Sequence, residues 1–368
     1  MEDDPHISKH FKTLVGTSEG TQQFDSSMFL RVTVIQLWEN QGIDFNEPSF
    51  HEMYQKIENF FYTDVLTFRC FAPIEKFRME GERIQLDANF SITRFPAKEK
   101  EEILTTSAHF GQQNRGVIFN ENMFEAFVEV PKIIGGDVGG DTNPGPHKLA
   151  KQKFDAACEA LRLFQKGAVG FNYIWVQNVT WMPGAGTVTY GPLSPVFFVG
   201  DICTLTSAEN GEFQEFWIAY QQAKQAGWTR LDLALRRFDF GYQRSMPEDK
   251  LIDYMIAFEA LLLRKDERQE LEYRLSLRGA TLLGSNSVNR KVIFDELKAG
   301  YKERSNIVHG GSIKDKVKVA GEEKAFSDFI GSIEDRLRST IKEFLFRSSR
   351  QSETQVLNQI DQSIITWQ

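Results

Sequence analysis

The hydrophobic periodicity of this chain changes once, near Asp201, and that change limits the architectures open to it. Ahead of it, apolar residues recur in short β-branched and aromatic runs broken by Gly, Pro and Asn. Behind it, apolar spacings of three and four continue almost without interruption to Phe346. The first pattern belongs to half-buried strands and the second to amphipathic helices. A chain of 368 residues has room for both kinds of core. The expectation is an α+β protein, with a β-rich mixed N-terminal domain followed by an all-helical one.

Val65–Phe71, Ile84–Ile92 and Glu125–Val130 predict strands, Ile84–Ile92 alternating with period two. Shorter strands are expected around Phe171–Val176 and Val196–Val199. The whole stretch from Met28 to Phe95 reads as strand-rich, and most of the 31 phenylalanines fall in the first half. Phe60, Phe61 and Tyr62 read as core rather than as a base-stacking platform. Gly135 to Pro146 is a loop without the GK[ST] ending of a phosphate-binding loop. Lys148–Lys166 carries helical spacing.

In the second half, helices are expected over Glu212–Ala226 and Arg230–Phe240. Ser245-Met-Pro-Glu248 reads as a capping box opening a helix with Leu251, Ile252, Met255, Phe258, Leu261 and Leu262 on one face. Glu270–Leu283 is closed by Gly284, and Asn286 or Ser287 caps a helix running through Arg304. Glu323–Phe346 is the last long helix. The domains read as 1–228, 229–347 and a polar tail at 348–368.

Composition removes several function classes. No apolar run approaches the roughly 18 residues that span a bilayer, and the acidic start, Met1-Glu-Asp-Asp-Pro-His6, is unlike a signal peptide. Cys70, Cys158 and Cys203 are isolated, which favours reduced thiols and a cytoplasmic setting. His6, His10, His51, His109 and His147 are scattered without HExxH spacing, and neither GxSxG nor GxGxxG occurs. No metal and no cofactor is expected. The formal charge of −8 is uneven: residues 241–350 carry 21 Lys and Arg against 18 Asp and Glu, and residues 1–240 carry 22 against 31. Any polyanion site belongs to the second half.

The chemistry-bearing stretch is Tyr301-Lys-Glu-Arg304-Ser-Asn-Ile-Val-His309-Gly-Gly311, and His309 is the only histidine after His147. An arginine offers a permanent positive charge to a phosphate, and a histidine a proton shuttle near neutral pH. Five positions apart on a straight helix, the two side chains leave about 140° from one another. They converge if the helix ends between them, for which Gly310-Gly311 offers a terminus, or if two copies of the chain associate.

Three blocks in order carry a resemblance. They are Asp249-Lys-Leu-Ile-Asp253 through Glu259 to Leu263, Leu271-Glu-Tyr-Arg274 through Arg278 to Leu-Leu-Gly284, and Tyr301 through Arg304 and His309 to Gly310. Over about residues 236–346 the chain resembles the ApeA-like branch of the HEPN superfamily, whose own motif is Arg-x4-His. Glu80-Gly-Glu-Arg-Ile-Gln-Leu86 is similar to the β-rich region that precedes such modules. The resemblance implies a HEPN-type helical bundle and a metal-independent endoribonuclease, in which a ribose 2′-hydroxyl attacks the adjacent phosphorus and leaves a 2′,3′-cyclic phosphate. Arg304 and His309 match the catalytic pair, with Asn306 or Ser305 as polar helper. Glu259, Arg274 and Arg278 are supporting or RNA-contacting candidates, each also readable as an ordinary interhelical ion pair. The implied partners are RNA, a second copy in a homodimer, and a protein regulator or phage trigger on the N-terminal domain, in a toxin or anti-phage role. The rival expectation is a non-catalytic HEPN interaction or nucleotide-binding module, with the first domain as sensor.

Overall fold

The computed structural model describes residues 4–11, 14–17, 20–23, 25–41, 46–106, 120–135, 144–184, 186–192, 196–312 and 314–366. The chain is mixed α+β and divides into two compact units. One comprises Met1–Ile74, Gly81–Ala156 and Phe171–Pro195; the other comprises Glu75–Glu80, Ala157–Gly170 and Val196–Gln368. These units do not coincide with a division at 228 and 348. Short segments before 200 belong with the helices, because strand pairing rather than chain order decides membership.

The order through the first half is α1 (Pro5–Ser8), β1 (Leu14–Thr17), β2 (Gly20–Gln23), α2 (Ser26–Gln41), α3 (Glu47–Tyr62), β3 (Val65–Pro73), β4 (Phe77–Met79), β5 (Arg83–Asp87), β6 (Phe90–Arg94), α4 (Ala97–Thr106), β7 (Asn122–Pro131), β8 (Ile133–Ile134), α5 (Pro146–Phe164), β9 (Ile174–Asn178) and β10 (Val188–Tyr190). Then come β11 (Cys203–Leu205), α6 (Ser207–Gln225), α7 (Thr229–Gln243), α8 (Pro247–Leu262), α9 (Leu271–Leu283), α10 (Ser287–Val308), β12 (Lys316–Val319), β13 (Glu322–Ala325), α11 (Phe326–Ser348) and α12 (Glu353–Ile365).

The first unit is organised by an antiparallel sheet of order β10-β9-β3-β7-β6-β5. On one face Phe71, Met123 and Trp175 pack with Phe95 and with Ile103 of α4. On the other, Phe90 and Phe124 meet Phe154 of α5, the Phe124 and Phe154 rings stacking with centroids 5.3 Å apart. Covering both faces explains why β3 and β7 read as apolar runs, whereas edge strand β5 alternates.

Several sequence expectations are corrected in this unit. The strand-rich reading of 28–62 gives way to α2 and α3. Asn46 caps α3 by accepting from Ser49 N at 3.1 Å, and Met53, Ile57, Phe60 and Phe61 form its buried stripe. Tyr62, expected in the core, is exposed. Ile84–Ile92 is a hairpin rather than one strand, because Asp87 Oδ1 accepts from Asn89 N at 2.8 Å and turns the chain. Val196–Val199 forms no strand; β11 pairs instead with β4, in parallel. The Gly135–Pro146 loop lies, apart from its ends, outside the described residues.

The second unit centres on α8, whose Leu251, Tyr254, Met255, Phe258, Leu261 and Leu262 are all fully buried. α7 and α11 pack on α8, and α9 packs on α10. A Cβ on Gly279 would lie 2.3 Å from Leu297 Cδ1, so glycine sets how closely α9 and α10 approach. The start of α8 departs from expectation: Met246 is the N-cap, without a side-chain hydrogen bond, and Pro247 fixes the first turn. The last long helix begins three residues later than its expected start. Residues 316–325 form a hairpin, in which Ala320 and Gly321 both have φ near that of a tight two-residue turn, 51° and 95°. The 348–368 segment is largely helix. Ser352 and Gln355 form a capping box for α12, which buries Val356, Leu357 and Ile360.

Candidate active site

α10 carries the motif. Asn286 starts it, accepting from Asn289 N at 2.9 Å, which resolves the Asn286-or-Ser287 alternative. Ile293, Leu297 and Gly300 anchor its buried side, where a Cβ on Gly300 would meet Met255 of α8 and Ile333 of α11 at 3.0 and 3.2 Å. Arg304 is therefore held on a helix fixed at both ends of its buried stripe.

The helix ends in a complete Schellman turn. Gly311 N donates to Asn306 O at 2.8 Å and Gly310 N to Ile307 O at 3.0 Å, with Gly310 at φ +78°. His309 is the C-cap, its N–H still bonded to Ser305 O at 3.1 Å, and its side chain is exposed. Asn306 clamps this turn: its Nδ2 donates to Ser312 O at 3.2 Å, and its amide occupies the space that a Cβ on Gly311 would need. Asn306, expected as polar helper, thus positions the turn that carries His309. Ser305 contributes its carbonyl to the same turn.

Arg304 faces Glu259 of α8, Nη2 to Oε1 at 3.5 Å, with side chains 24% and 26% exposed. The pair is loose. Arg304 Nε and Glu259 Oε1 are both buried without a hydrogen-bond partner among the described residues. Burial pushes the Glu259 carboxyl above its ordinary pKa, against the opposing pull of Arg304. Tyr301, one turn before Arg304, belongs to this cluster: burial and the Glu259 charge raise its phenol pKa. The spacing Tyr301-x-x-Arg304 placed both on one helix face, and that was the available sign of its membership.

No protein family, no curated protein and no solved structure matches this chain. The residues must carry the functional reading themselves.

Arg278 and Arg274 lie elsewhere in the hydrogen-bond pattern. Arg278 donates to both Glu267 oxygens at 2.7 and 2.8 Å, to both Asp361 oxygens at 2.7 and 3.1 Å, and to Leu262 O at 2.8 Å. Its guanidinium is saturated and its side chain only 5% exposed, so it joins α9, the 263–270 loop and α12 and has no donor left for RNA. Arg274 meets Glu267 at 3.2 Å. Of the seven candidates, Arg304, Glu259, Asn306, Ser305 and His309 gather along α10 and its end, while Arg274 and Arg278 form a separate lock.

Regular helix persists from Arg304 to Val308. The two key side chains therefore leave α10 about 140° apart. The terminus at Gly310-Gly311 comes too late to fold them together within one chain. Among the described residues no group of three or more His, Cys, Asp or Glu is placed to hold a metal ion, and no helix is long and apolar enough to cross a membrane.

Proposed function

We propose that this chain is a metal-independent endoribonuclease of HEPN type, acting as a homodimer in a toxin or anti-phage role in the cytoplasm. The observation that carries the reading is the unsatisfied Arg304 Nε, a buried charged donor without an acceptor among the described residues, on the same helix as an exposed His309. A buried unpaired donor is costly, and an anionic oxygen is the partner that relieves it.

In the proposed reaction, His309 removes the ribose 2′-hydroxyl proton or protonates the departing 5′-oxygen. The 2′-oxygen bonds to phosphorus as the P–O5′ bond breaks, leaving a 2′,3′-cyclic phosphate and a 5′-hydroxyl. Arg304 stabilises the charge growing on the phosphoryl oxygens. The substrate is RNA because DNA lacks the 2′-hydroxyl. Divergence of the two side chains on α10 means that Arg304 of one copy works with His309 of the other. The first unit then serves to sense a protein regulator or phage trigger.

One observation favours a second reading, a non-catalytic HEPN interaction or nucleotide-binding module: within a single chain the pair does not share a face. Incubating labelled RNA with wild type, Arg304→Ala and His309→Ala in chelator separates the two. Cleavage to cyclic-phosphate ends by wild type, lost in both variants with helix content intact, is the expected result. Intact RNA with wild type, alone and with candidate phage triggers, would contradict the nuclease.

A further inference from the structure

α10 and the β12–β13 hairpin wall an open groove of about 600 Å³. Six lysines line it: Lys291, Lys298 and Lys302 from α10, Lys314 from the connection, and Lys316 and Lys318 from β12. Three carboxylates, Asp295, Glu303 and Glu323, share the lining. Six against three leaves the groove at +3 on a chain of formal charge −8. Like charges gathered in a concavity repel one another, and an anionic ligand offsets that cost.

Local structure explains the convergence. Positions 291, 298 and 302 fall within about 40° on the helix, a stripe roughly 16 Å long. On β12, Lys316 and Lys318 alternate with Val317 and Val319, which are buried, so period two turns both ammonium groups to the groove. Three lysines already have acidic neighbours: Lys291 meets Asp295 at 2.9 Å, Lys316 meets Glu323 at 3.4 Å, and Lys298 is 3.9 Å from Glu272. Lys302, Lys314 and Lys318 are exposed and form no ion pair among the described residues.

The kind of anion follows from what the groove lacks. No arginine fork and no aromatic ring lines it among the described residues, so it has neither bidentate recognition nor a surface on which a base stacks. Flexible point charges spread along an open channel suit an extended phosphodiester backbone better than one enclosed nucleotide. The helical stripe also leads somewhere: seven residues beyond Lys302, within about 20° of it, stands His309.

We propose that this groove binds the sugar-phosphate backbone of single-stranded RNA, independently of sequence, and leads the strand toward the end of α10. The identity of the polyanion as RNA rests on the nuclease reading; the anion site itself does not.

The test uses the full chain carrying His309→Ala, so that bound RNA is not consumed. Binding of a short fluorescein-labelled single-stranded RNA is followed by anisotropy from about 50 to 200 mM salt. Adding Lys302→Gln, Lys314→Gln and Lys318→Gln together should weaken binding about 10- to 100-fold at the low end. It should also flatten the log–log salt slope by about 2, roughly 0.7 for each phosphate no longer neutralised. The matching triple Lys→Arg variant should bind like its parent, which separates missing charge from misfolding. Unchanged affinity and slope in a folded Gln variant would overturn the proposal, as would no RNA binding by the parent, or binding of inorganic polyphosphate alone. Groove-dependent binding without any cleavage by wild type would sink the nuclease and leave the groove standing. Arg304- and His309-dependent cleavage with unaltered binding in the Gln variant would do the reverse.

Discussion

Two arginines of the helical unit, each facing a glutamate, are treated in opposite ways. Arg278 makes five hydrogen bonds to Glu267, Asp361 and Leu262. Arg304 has one loose contact with Glu259 at 3.5 Å and a buried Nε with no partner among the described residues. The carboxylates report the same contrast. Burial raises the pKa of Glu267, but hydrogen bonds and charge from Arg278, the Arg264 backbone and Arg274 outweigh it and hold the carboxyl down to about 2. Burial wins at Glu259 and pushes its carboxyl up. A saturated guanidinium fixes a fold and has nothing left to offer a ligand, whereas an undersatisfied one retains free energy that a ligand can release.

This contrast breaks most visibly under substitution. His309→Ala should lower RNA cleavage by about 10²- to 10⁴-fold. Because His309 is exposed, the same change should move unfolding stability by less than about 0.5 kcal/mol. Arg278→Ala should do the converse, costing about 3 kcal/mol in denaturant titration because Glu267 and Asp361 lose their shared partner. Any cleavage it loses should return under conditions where the variant is folded. Equal effects of both substitutions on stability would erase the distinction.

Acid sharpens it further. The Glu267 pKa is lowered on folding, so its stabilisation is complete above the ordinary carboxylate pKa and is lost as pH falls from about 4.5 toward 2, by about 2 kcal/mol in total. The Glu259 pKa is raised, so its contribution has the other sign: it favours the folded state in acid and fades as pH rises through the folded-state value. Glu259→Gln should therefore be neutral or stabilising by less than about 1 kcal/mol near pH 7. That advantage should shrink on acidification, as read from denaturation midpoints across pH. A Glu259→Gln variant that loses ground in the same window as Glu267 would contradict this assignment.

The helical half of the fold was legible because its apolar stripes, Gly284 and Asn286 are local signals that packing does not override. The first half was less so. α2 and α3 carry β-branched and aromatic residues that serve equally in strands, and Asn46 is a cap recognised only beside the stripe it starts. Strands 65–73 and 122–131 were visible as apolar runs, whereas the turn at Asp87 hid within a clean alternation. At the site, Arg304, His309 and Glu259 could be named from type and spacing. The saturation of Arg278 could not, since it depends on Asp361 of α12, more than 80 positions away in sequence and within a segment that read as a tail. The lysine groove was equally hidden, because Lys314, Lys316 and Lys318 meet α10 only once the 316–325 hairpin forms.

Mixing two inactive variants tests the central claim most directly. If Arg304 of one copy works with His309 of the other, a heterodimer of Arg304→Ala and His309→Ala retains one intact site of two. Equal mixing with free subunit exchange should then restore about a quarter of wild-type RNA cleavage. No recovery in a mixture shown to exchange subunits, beside an active wild type, would contradict a centre shared between two chains.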